Sequence, residues 1–254
     1  MKTVYICEDT IGGIFSGIYE AWKTRKGEEE LGLAIRGMLN QELFCEYVEV
    51  PEDGKKALAV EHLIQKHLSF DTYYYLYHTL LSQDAAKGDA VLGTMLAARQ
   101  IPDSRKIMQH LTHPKVQKVF ELSRRVSNEA HYFVEFLRFR ELESEILCAQ
   151  IEPKSKVLTC IADHFTNRFP LENWMIYDKI HKEFLIHEAG KQWVLVQGED
   201  VDVEKLTKYS YAEAAFEQLW KGFTKSISIR ERENPGLQRQ NLPIWYRKNM
   251  TEFQ

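Results

Sequence analysis

A long amphipathic segment in the middle of the chain constrains its fold most strongly. From about Lys115 to Arg138, apolar residues recur at helical spacing, at Val116, Val119, Phe120, Val126, Ala130, Phe133 and Leu137. This periodicity predicts one continuous helix of 24 residues. At 1.5 Å per residue the helix would be roughly 36 Å long.

Shorter helical stripes and β-type segments alternate along the remaining sequence. The segments TVYIC, LFCEYVEV, EILCAQIEP and NWMIYD predict strands, and KEFLIHEAGKQWVLVQG predicts a hairpin that turns at Ala189 and Gly190. Apolar stripes predict further helices within residues 14–22, 57–68, 157–165 and 212–227. We therefore predict an α+β fold that is mostly helical, with a few short strands and a β-hairpin in the C-terminal half.

Length and composition bound the domain organisation. The 254 residues are enough for one large domain or two small ones, and 44% hydrophobic residues supply a sizeable core. The sequence contains no internal repeat, low-complexity tract or obvious linker. We predict that residues 1–254 form a single compact unit, while a subdivision near 100–104 stays open.

Missing patterns exclude several classes of protein. The sequence has no run of 18 apolar residues, and MKTVYICEDT lacks the features of a signal peptide, so we expect a cytoplasmic protein without a membrane partner. The four cysteines form no CxxC pair, and His110 and His113 have no third ligand nearby. The motifs HExxH, GxGxxG and GxxxxGKS/T are absent. We therefore expect neither a metal nor a cofactor.

Positive charge is concentrated in two regions of an otherwise acidic chain. The net charge is −4, yet residues 104–140 carry eight basic and three acidic side chains. Residues 221–254 carry seven basic and three acidic side chains. Two basic regions on an acidic background indicate an anionic partner.

One flank of the long helix carries a polar stripe. Its members are Arg124, Asn128, His131, Glu135 and Arg138, with steps of 4, 3, 4 and 3 residues. Fourteen residues of helix cover roughly 21 Å. The stripe is either a salt-bridged flank that faces water or a cationic wall with one titratable histidine, suited to phosphates.

Acid–base chemistry has three candidate residues, which are His131, His164 and Asp178. His164 lies near the end of a predicted helix with Arg168 one turn further on, where the helix dipole favours a cation. Asp178 ends a predicted strand and is either a turn residue or a group that orients a histidine or arginine. If these side chains converge, they would be acid–base groups, with Arg138, Arg168 and Arg232 binding phosphate.

A proline interrupts the C-terminal segment. Because Asn234 precedes Pro235, helical conformation is disfavoured there and the preceding helix should end before it. If the residues ahead of the break are extended, Arg230 and Arg232 point to the same side and form a paired anion grip. If these residues stay helical, the two side chains are about 200° apart.

Aromatic and basic residues follow the break. Trp245 and Tyr246 come after a second proline, with Arg239 before them and Arg247 and Lys248 directly after. In one interpretation the two rings stack on nucleic-acid bases while the three cations hold phosphates. In the other, the rings fasten the C-terminus onto the core and the cations face water. The two interpretations can coexist.

Several separated motifs resemble those of a bacterial family assigned to DNA repair or DNA metabolism. The matches to its closing signature are Leu219, Trp220, Ile229, Arg232, Asn234, Gln238, Pro243, Tyr246, Glu252 and Phe253. SNEAHYFVEFLRFRE and IADHFTNRFP resemble its internal motifs. The family usually starts with Tyr-Asp-Gly where this chain has Glu8-Asp9-Thr10, so the opening matches only in part.

The resemblance implies binding partners for this chain, but it does not imply a reaction. The family is paired genomically with a radical-SAM protein, and its C-terminal domain also occurs fused to uracil-DNA-glycosylase-like domains; no catalytic residues carry over. It implies a DNA-binding accessory partner of a radical-SAM or glycosylase-type enzyme, and the missing cysteine cluster fits that role. The alternatives are an enzyme acting on nucleic acid or a nucleotide, and a protein–protein adaptor without nucleic-acid affinity.

Overall fold

A computed structural model of the protein describes residues 1–39, 43–198 and 206–253, and of Arg230 the backbone only. The chain divides into two compact units, Met1–Ser127 and Asn128–Gln254. The boundary between them falls inside the longest helix. The expectation of a single unit, with a subdivision near 100–104, stays a prediction.

The first unit has a three-stranded parallel sheet packed against helices. Its strands are β1 (Lys2–Cys7), β2 (Leu31–Ile35) and β3 (Cys45–Glu49), in the order β2–β1–β3. Its helices are α1 (Ile11–Lys23), α2 (Gly54–His67), α3 (Phe70–Leu80), α4 (Lys87–Ala98) and the first part of α5 (Pro114–Phe136). The unit also contains the 3₁₀ turns Glu28–Glu30 and Ser104–Gln109.

Local sequence explains where several of these helices begin. The side chains of Thr10, Asp53 and Ser69 accept hydrogen bonds from backbone N–H groups in the first turns of α1, α2 and α3. Such caps satisfy N–H groups that have no partner within the helix. Pro114 begins α5, at a position where its missing N–H costs nothing.

The second unit has a five-stranded mixed sheet in the order β4–β5–β6–β7–β8. The strands are β4 (Arg140–Glu141), β5 (Leu147–Ile151), β6 (Trp174–Asp178), β7 (Glu183–His187) and β8 (Val194–Gln197). β5 and β6 are parallel and joined through α6 (Leu158–Arg168), and the other neighbours are antiparallel. The sheet is followed by α7 (Tyr211–Ser226), α8 (Pro235–Asn241) and α9 (Ile244–Arg247), with 3₁₀ turns at Arg230–Arg232 and Thr251–Phe253.

These elements confirm the predicted α+β fold class and its mostly helical character. The predicted strand segments contain β1, β3, β5 and β6, and the predicted hairpin forms β7 and β8 with Gly190 at φ +72° in the turn. The sequence did not indicate β2 or β4. Gly32 and Ala34 weaken the strand signal of β2, because both residue types are depleted in strands.

The long helix ends before Arg138, contrary to the prediction. α5 stops at Phe136, and the chain then enters β4, which pairs with β5. Strand pairing requires extended backbone, so the helix cannot continue through this segment. The Arg138 guanidinium donates hydrogen bonds to the backbone oxygens of Glu135 and Leu137, at 3.4 and 3.3 Å, near the helix end. Arg138 therefore does not extend the helical stripe that includes His131.

Helix α7 is amphipathic, but its apolar stripe is exposed. Phe216 is 65% exposed, Leu219 67%, Phe223 53% and Ile227 59%. Contiguous exposed apolar side chains of this kind mark interaction surfaces in folded proteins. No helix in the described ranges has both the length and the apolar character of a membrane span.

Gly17 allows α1 to approach β1 closely. A Cβ at position 17 would overlap Cys7 Sγ, and it would lie 3.2 Å from Leu33 Cδ1. Cys7 is fully buried, so its thiol has little room to move aside. The glycines of the DTIGGIFSG segment thus have a packing role at position 17.

We predict that Gly17→Ala lowers the free energy of unfolding of the first unit by about 1–3 kcal/mol, because the added methyl overpacks the α1–β1 contact. Adding Cys7→Ala should recover part of this loss, since it removes the overlapping sulfur. Gly54→Ala is the control, because its Cβ would meet nothing within 4 Å. Urea denaturation measures all four proteins. Equal losses with and without Cys7→Ala would contradict the explanation.

Candidate functional site

Four basic side chains converge on one pocket of the second unit, which we call the cationic pocket. It encloses about 260 Å³, and its charged lining residues are Arg138, Arg140, Lys179, Lys248 and Glu152. Gln150, Tyr209, Asn249 and Cys148 complete the lining. Four cations and one carboxylate therefore face a single small space.

The five-stranded sheet determines the positions of several residues that line the cationic pocket. Arg138 precedes β4 and Arg140 begins it, and side chains two residues apart on an extended chain point to the same side. Along β5 and beyond it, Gln150 and Glu152 share one side for the same reason. In the parallel β5–β6 pair Ile151 is opposite Asp178, so Glu152 and Lys179 leave the sheet next to each other.

Carboxylates outside the pocket hold its two arginines in place. Arg138 Nη2 donates to Glu252 Oε1 at 2.8 Å, and Arg140 Nε donates to Glu217 Oε1 at 3.1 Å. The Arg140 guanidinium also lies 4.8 Å from the centroid of the Tyr209 ring. Arg138 Nε is buried and has no hydrogen-bond partner among the described residues. Both guanidinium groups are therefore fixed before any ligand binds.

Glu152 holds the two lysines. Its carboxylate accepts hydrogen bonds from Lys179 Nζ at 3.3 Å and from Lys248 Nζ at 3.0 Å, and Lys179 also donates to Asn249 Oδ1 at 3.2 Å. Burial acts to raise the pKa of Glu152, but the hydrogen bonds and charges of Lys248 and Lys179 outweigh it and hold the pKa below its usual value. Glu152 is therefore an anion that the pocket already contains.

The two C-terminal aromatic residues fasten the chain end onto the second unit. The Tyr246 ring centroid lies 4.9 Å from that of Tyr132 and 5.0 Å from that of Phe133, and burial raises the pKa of Tyr246 well above its usual value. Trp245 Nε1 donates to the backbone oxygen of Glu152 at 2.8 Å. This is one of the two arrangements expected from the sequence, and base stacking on either ring stays a prediction.

The three acid–base candidates have separate surroundings. The His131 side chain is 70% exposed and pairs with Glu135 at 3.2 Å, while His164 is exposed with its ring edge-on to Phe165. Asp178 is fully buried at the end of β6. No hydrogen bond or ion pair within the described ranges joins these three side chains, and neither histidine lines the cationic pocket.

Asp178 instead orients a histidine that the sequence did not single out. Its Oδ1 accepts from the backbone N–H groups of Ile180 and His181 at 2.9 and 3.0 Å, and its Oδ2 lies 2.6 Å from His181 Nδ1. Asp178 is therefore both a turn residue and a group that orients a histidine, the two roles that the sequence left open. The local spacing of three residues could have indicated this pair.

The remaining predicted phosphate ligands are dispersed. Arg124 is exposed in the first unit, and Arg168 and Arg239 are exposed on α6 and α8 of the second. Arg247 donates to the backbone oxygen of Leu242 at 3.2 and 3.0 Å. Of the predicted ligands, Arg138 and Lys248 line the cationic pocket.

The segment before the proline break is not extended. Arg230–Arg232 is a 3₁₀ turn, in which residues two apart are about 240° from each other around the axis. An extended backbone was the condition under which Arg230 and Arg232 would point to the same side and bind one anion together. The 3₁₀ turn does not meet this condition. Arg232 is exposed and lines a second cavity, described below.

Sequence reasoning missed Arg140, Lys179 and Gln150. The alternation in LRFRE could have indicated Arg140, because it places two arginines on one side of an extended segment. Lys179 carried no such signal, since its place beside Glu152 depends on the pairing of β5 with β6. No group of His, Cys, Asp or Glu in the described ranges is arranged to hold a metal ion.

Comparison with known families places this site within a defined domain. Residues 86–252 match the model of a domain of unknown function, DUF4130. The chain belongs to the DUF4130 family. The DUF4130 match contains every residue that lines the cationic pocket. A comparison of the chain with curated proteins gives no match.

We predict that Asp178→Ala lowers the free energy of unfolding of the second unit by about 1–3 kcal/mol, because the backbone N–H groups of Ile180 and His181 lose a fully buried acceptor. Asp178→Asn keeps an acceptor for the two backbone N–H groups and should cost less than half as much. Glu188→Ala, an exposed change in the same unit, is the control. Urea unfolding followed by tryptophan emission measures each variant, and a loss below 1 kcal/mol for Asp178→Ala would contradict the prediction.

Proposed function

We propose that the second unit binds DNA through its phosphate backbone, with the cationic pocket as the main contact. The observation that carries this proposal is the convergence of Arg138, Arg140, Lys179 and Lys248 on one space with a single carboxylate. Charge-assisted hydrogen bonds from arginine and lysine are the strongest contacts that proteins make to phosphate oxygens.

The arrangement of the cations favours a ligand with several anionic oxygens. The two arginines are already paired with Glu217 and Glu252. Their side chains therefore lose little conformational entropy when a ligand binds. A phosphate that enters the pocket would compete with Glu152 for the two lysines. The pocket therefore offers two arginines that keep their partners and two lysines that can exchange Glu152 for a phosphate.

The resemblance described above supports DNA as the polyanion and an enzyme as the partner. The protein would bind DNA and present it to a radical-SAM or glycosylase-type enzyme. The DUF4130 match covers the unit that contains the pocket, so the proposal concerns a property of this domain. Binding of the partner enzyme without any affinity for DNA would instead favour the adaptor alternative.

We predict that binding of labelled oligonucleotides weakens strongly with salt. For three phosphate contacts, the affinity should fall about 20-fold for a single strand and about 40-fold for a duplex when the salt concentration is raised fourfold, from about 50 to about 200 mM. Fluorescence polarisation with single- and double-stranded oligonucleotides measures this, with the protein alone and with its partner enzyme. If no oligonucleotide binds at the lower salt concentration under either condition, the proposed function is wrong.

Two substitutions in the pocket should act in opposite directions. We predict that Lys179→Gln weakens DNA binding about five- to tenfold because it removes a phosphate ligand. Glu152→Gln should strengthen binding, since it removes the carboxylate that competes for the lysines. Lys191→Gln is the charge-matched control, because Lys191 is exposed in the β7–β8 turn and pairs with Glu188. Equal weakening by Lys179→Gln and Lys191→Gln would show that only net charge matters.

A further inference from the structure

A second and larger cavity of the same unit, the C-terminal cavity, has a different chemistry. It encloses about 730 Å³ between the end of α5, the segment after α7, and α8. This volume lies within the range of cavities that hold small organic ligands. Its apolar lining residues are Phe136, Ile227, Ile229, Leu237 and Leu242. Three of them, Ile227, Ile229 and Leu237, are 59%, 48% and 52% exposed, so their apolar surface is uncovered.

Three amide side chains, Ser228, Arg232 and Glu233 form the polar part of the C-terminal cavity. Asn234, Gln238 and Asn241 follow each other at steps of four and three residues and therefore share one face of α8. Asn234 is fixed as the helix cap, because its Oδ1 accepts from the backbone N–H of Leu237 at 3.0 Å. The Arg232 side chain forms no ion pair with a described residue. Amides and arginine provide the donors and acceptors that pair with the edges of nucleobases.

The C-terminal cavity lies close to the cationic pocket. Phe136 lines the cavity and Arg138 lines the pocket, and both residues also line one narrow cleft. Two residues of chain span at most about 7 Å. Phe136 and Arg138 thus connect the two cavities through one cleft, so a strand that places a phosphate in the cationic pocket could bring a neighbouring base to the C-terminal cavity.

We infer that the C-terminal cavity accepts an unstacked base of single-stranded DNA whose phosphates are held by the cationic pocket. This inference rests on the proposed function and specifies its ligand. Bases of a duplex are stacked and paired, whereas bases of a single strand can rotate outward and pack on apolar side chains. The protein should therefore prefer single strands over duplexes.

Three ligands of equal length test the inference: a single strand, its duplex, and a strand of abasic nucleotides with the same number of phosphates. The intact single strand should bind at least about fivefold more tightly than the abasic strand, which is the gain expected from one packed base. It should also bind more tightly than the duplex. A 2-aminopurine base in the single strand should change its fluorescence on binding.

Variants at exposed positions separate the cavity from the rest of the surface. Ile229→Ser and Gln238→Ala should weaken binding of the intact single strand and leave binding of the abasic strand unchanged. Leu171→Ser is the matched control, because Leu171 is 79% exposed after α6 and does not line the C-terminal cavity. All three positions are exposed, so the variants should fold normally.

Each other outcome overturns the inference in a recognisable way. If the abasic strand binds as tightly as the intact one, no base enters the cavity, although the phosphate contacts of the proposed function remain. If no strand binds at all, the proposed function itself fails. If Ile229→Ser leaves binding of every strand unchanged but abolishes binding of a partner enzyme, the cavity is part of a protein interface.

Discussion

The ion pair between Arg138 and Glu252 holds the second unit's functional surface together. It joins two residues that are 114 positions apart in the chain. Burial acts to raise the pKa of Glu252, but the hydrogen bond and charge of Arg138 outweigh it and keep the carboxylate ionised at neutral pH. The Arg140–Glu217 pair ties the same segment to α7. Without these partners, two adjacent guanidinium groups would repel each other, so the pocket requires the C-terminal segment to fold back.

Much of the fold was predictable because its signals are local. The long helix, the α6 helix and the β7–β8 hairpin each follow from periodicity or turn residues within a few positions, and Gly190 marks the turn directly. The errors occur where a distant strand decides the backbone. α5 stops before Arg138 because β4 pairs with β5, and nothing within the helix sequence itself ends it there. Tertiary pairing overrides helical periodicity at that point.

The candidate site was predictable only in part. Basic content directed attention to Arg138 and Lys248, which line the cationic pocket, and resemblance directed it to the C-terminal segment. The sequence could not show that Lys179 would meet Glu152, because this depends on the register between β5 and β6. Nor could it choose between extended and turned backbone ahead of Pro235, since a proline disfavours helix there without requiring a strand.

The Glu152 carboxylate gives the cationic pocket a tethered counterion. Lys179 and Lys248 share one carboxylate that cannot diffuse away, so one of their two positive charges is offset within the protein. An anionic ligand of the pocket would therefore have to displace a protein side chain from these lysines. A surface of this kind can also discriminate against isolated small anions, because a weak ligand does not outcompete a carboxylate at high local concentration.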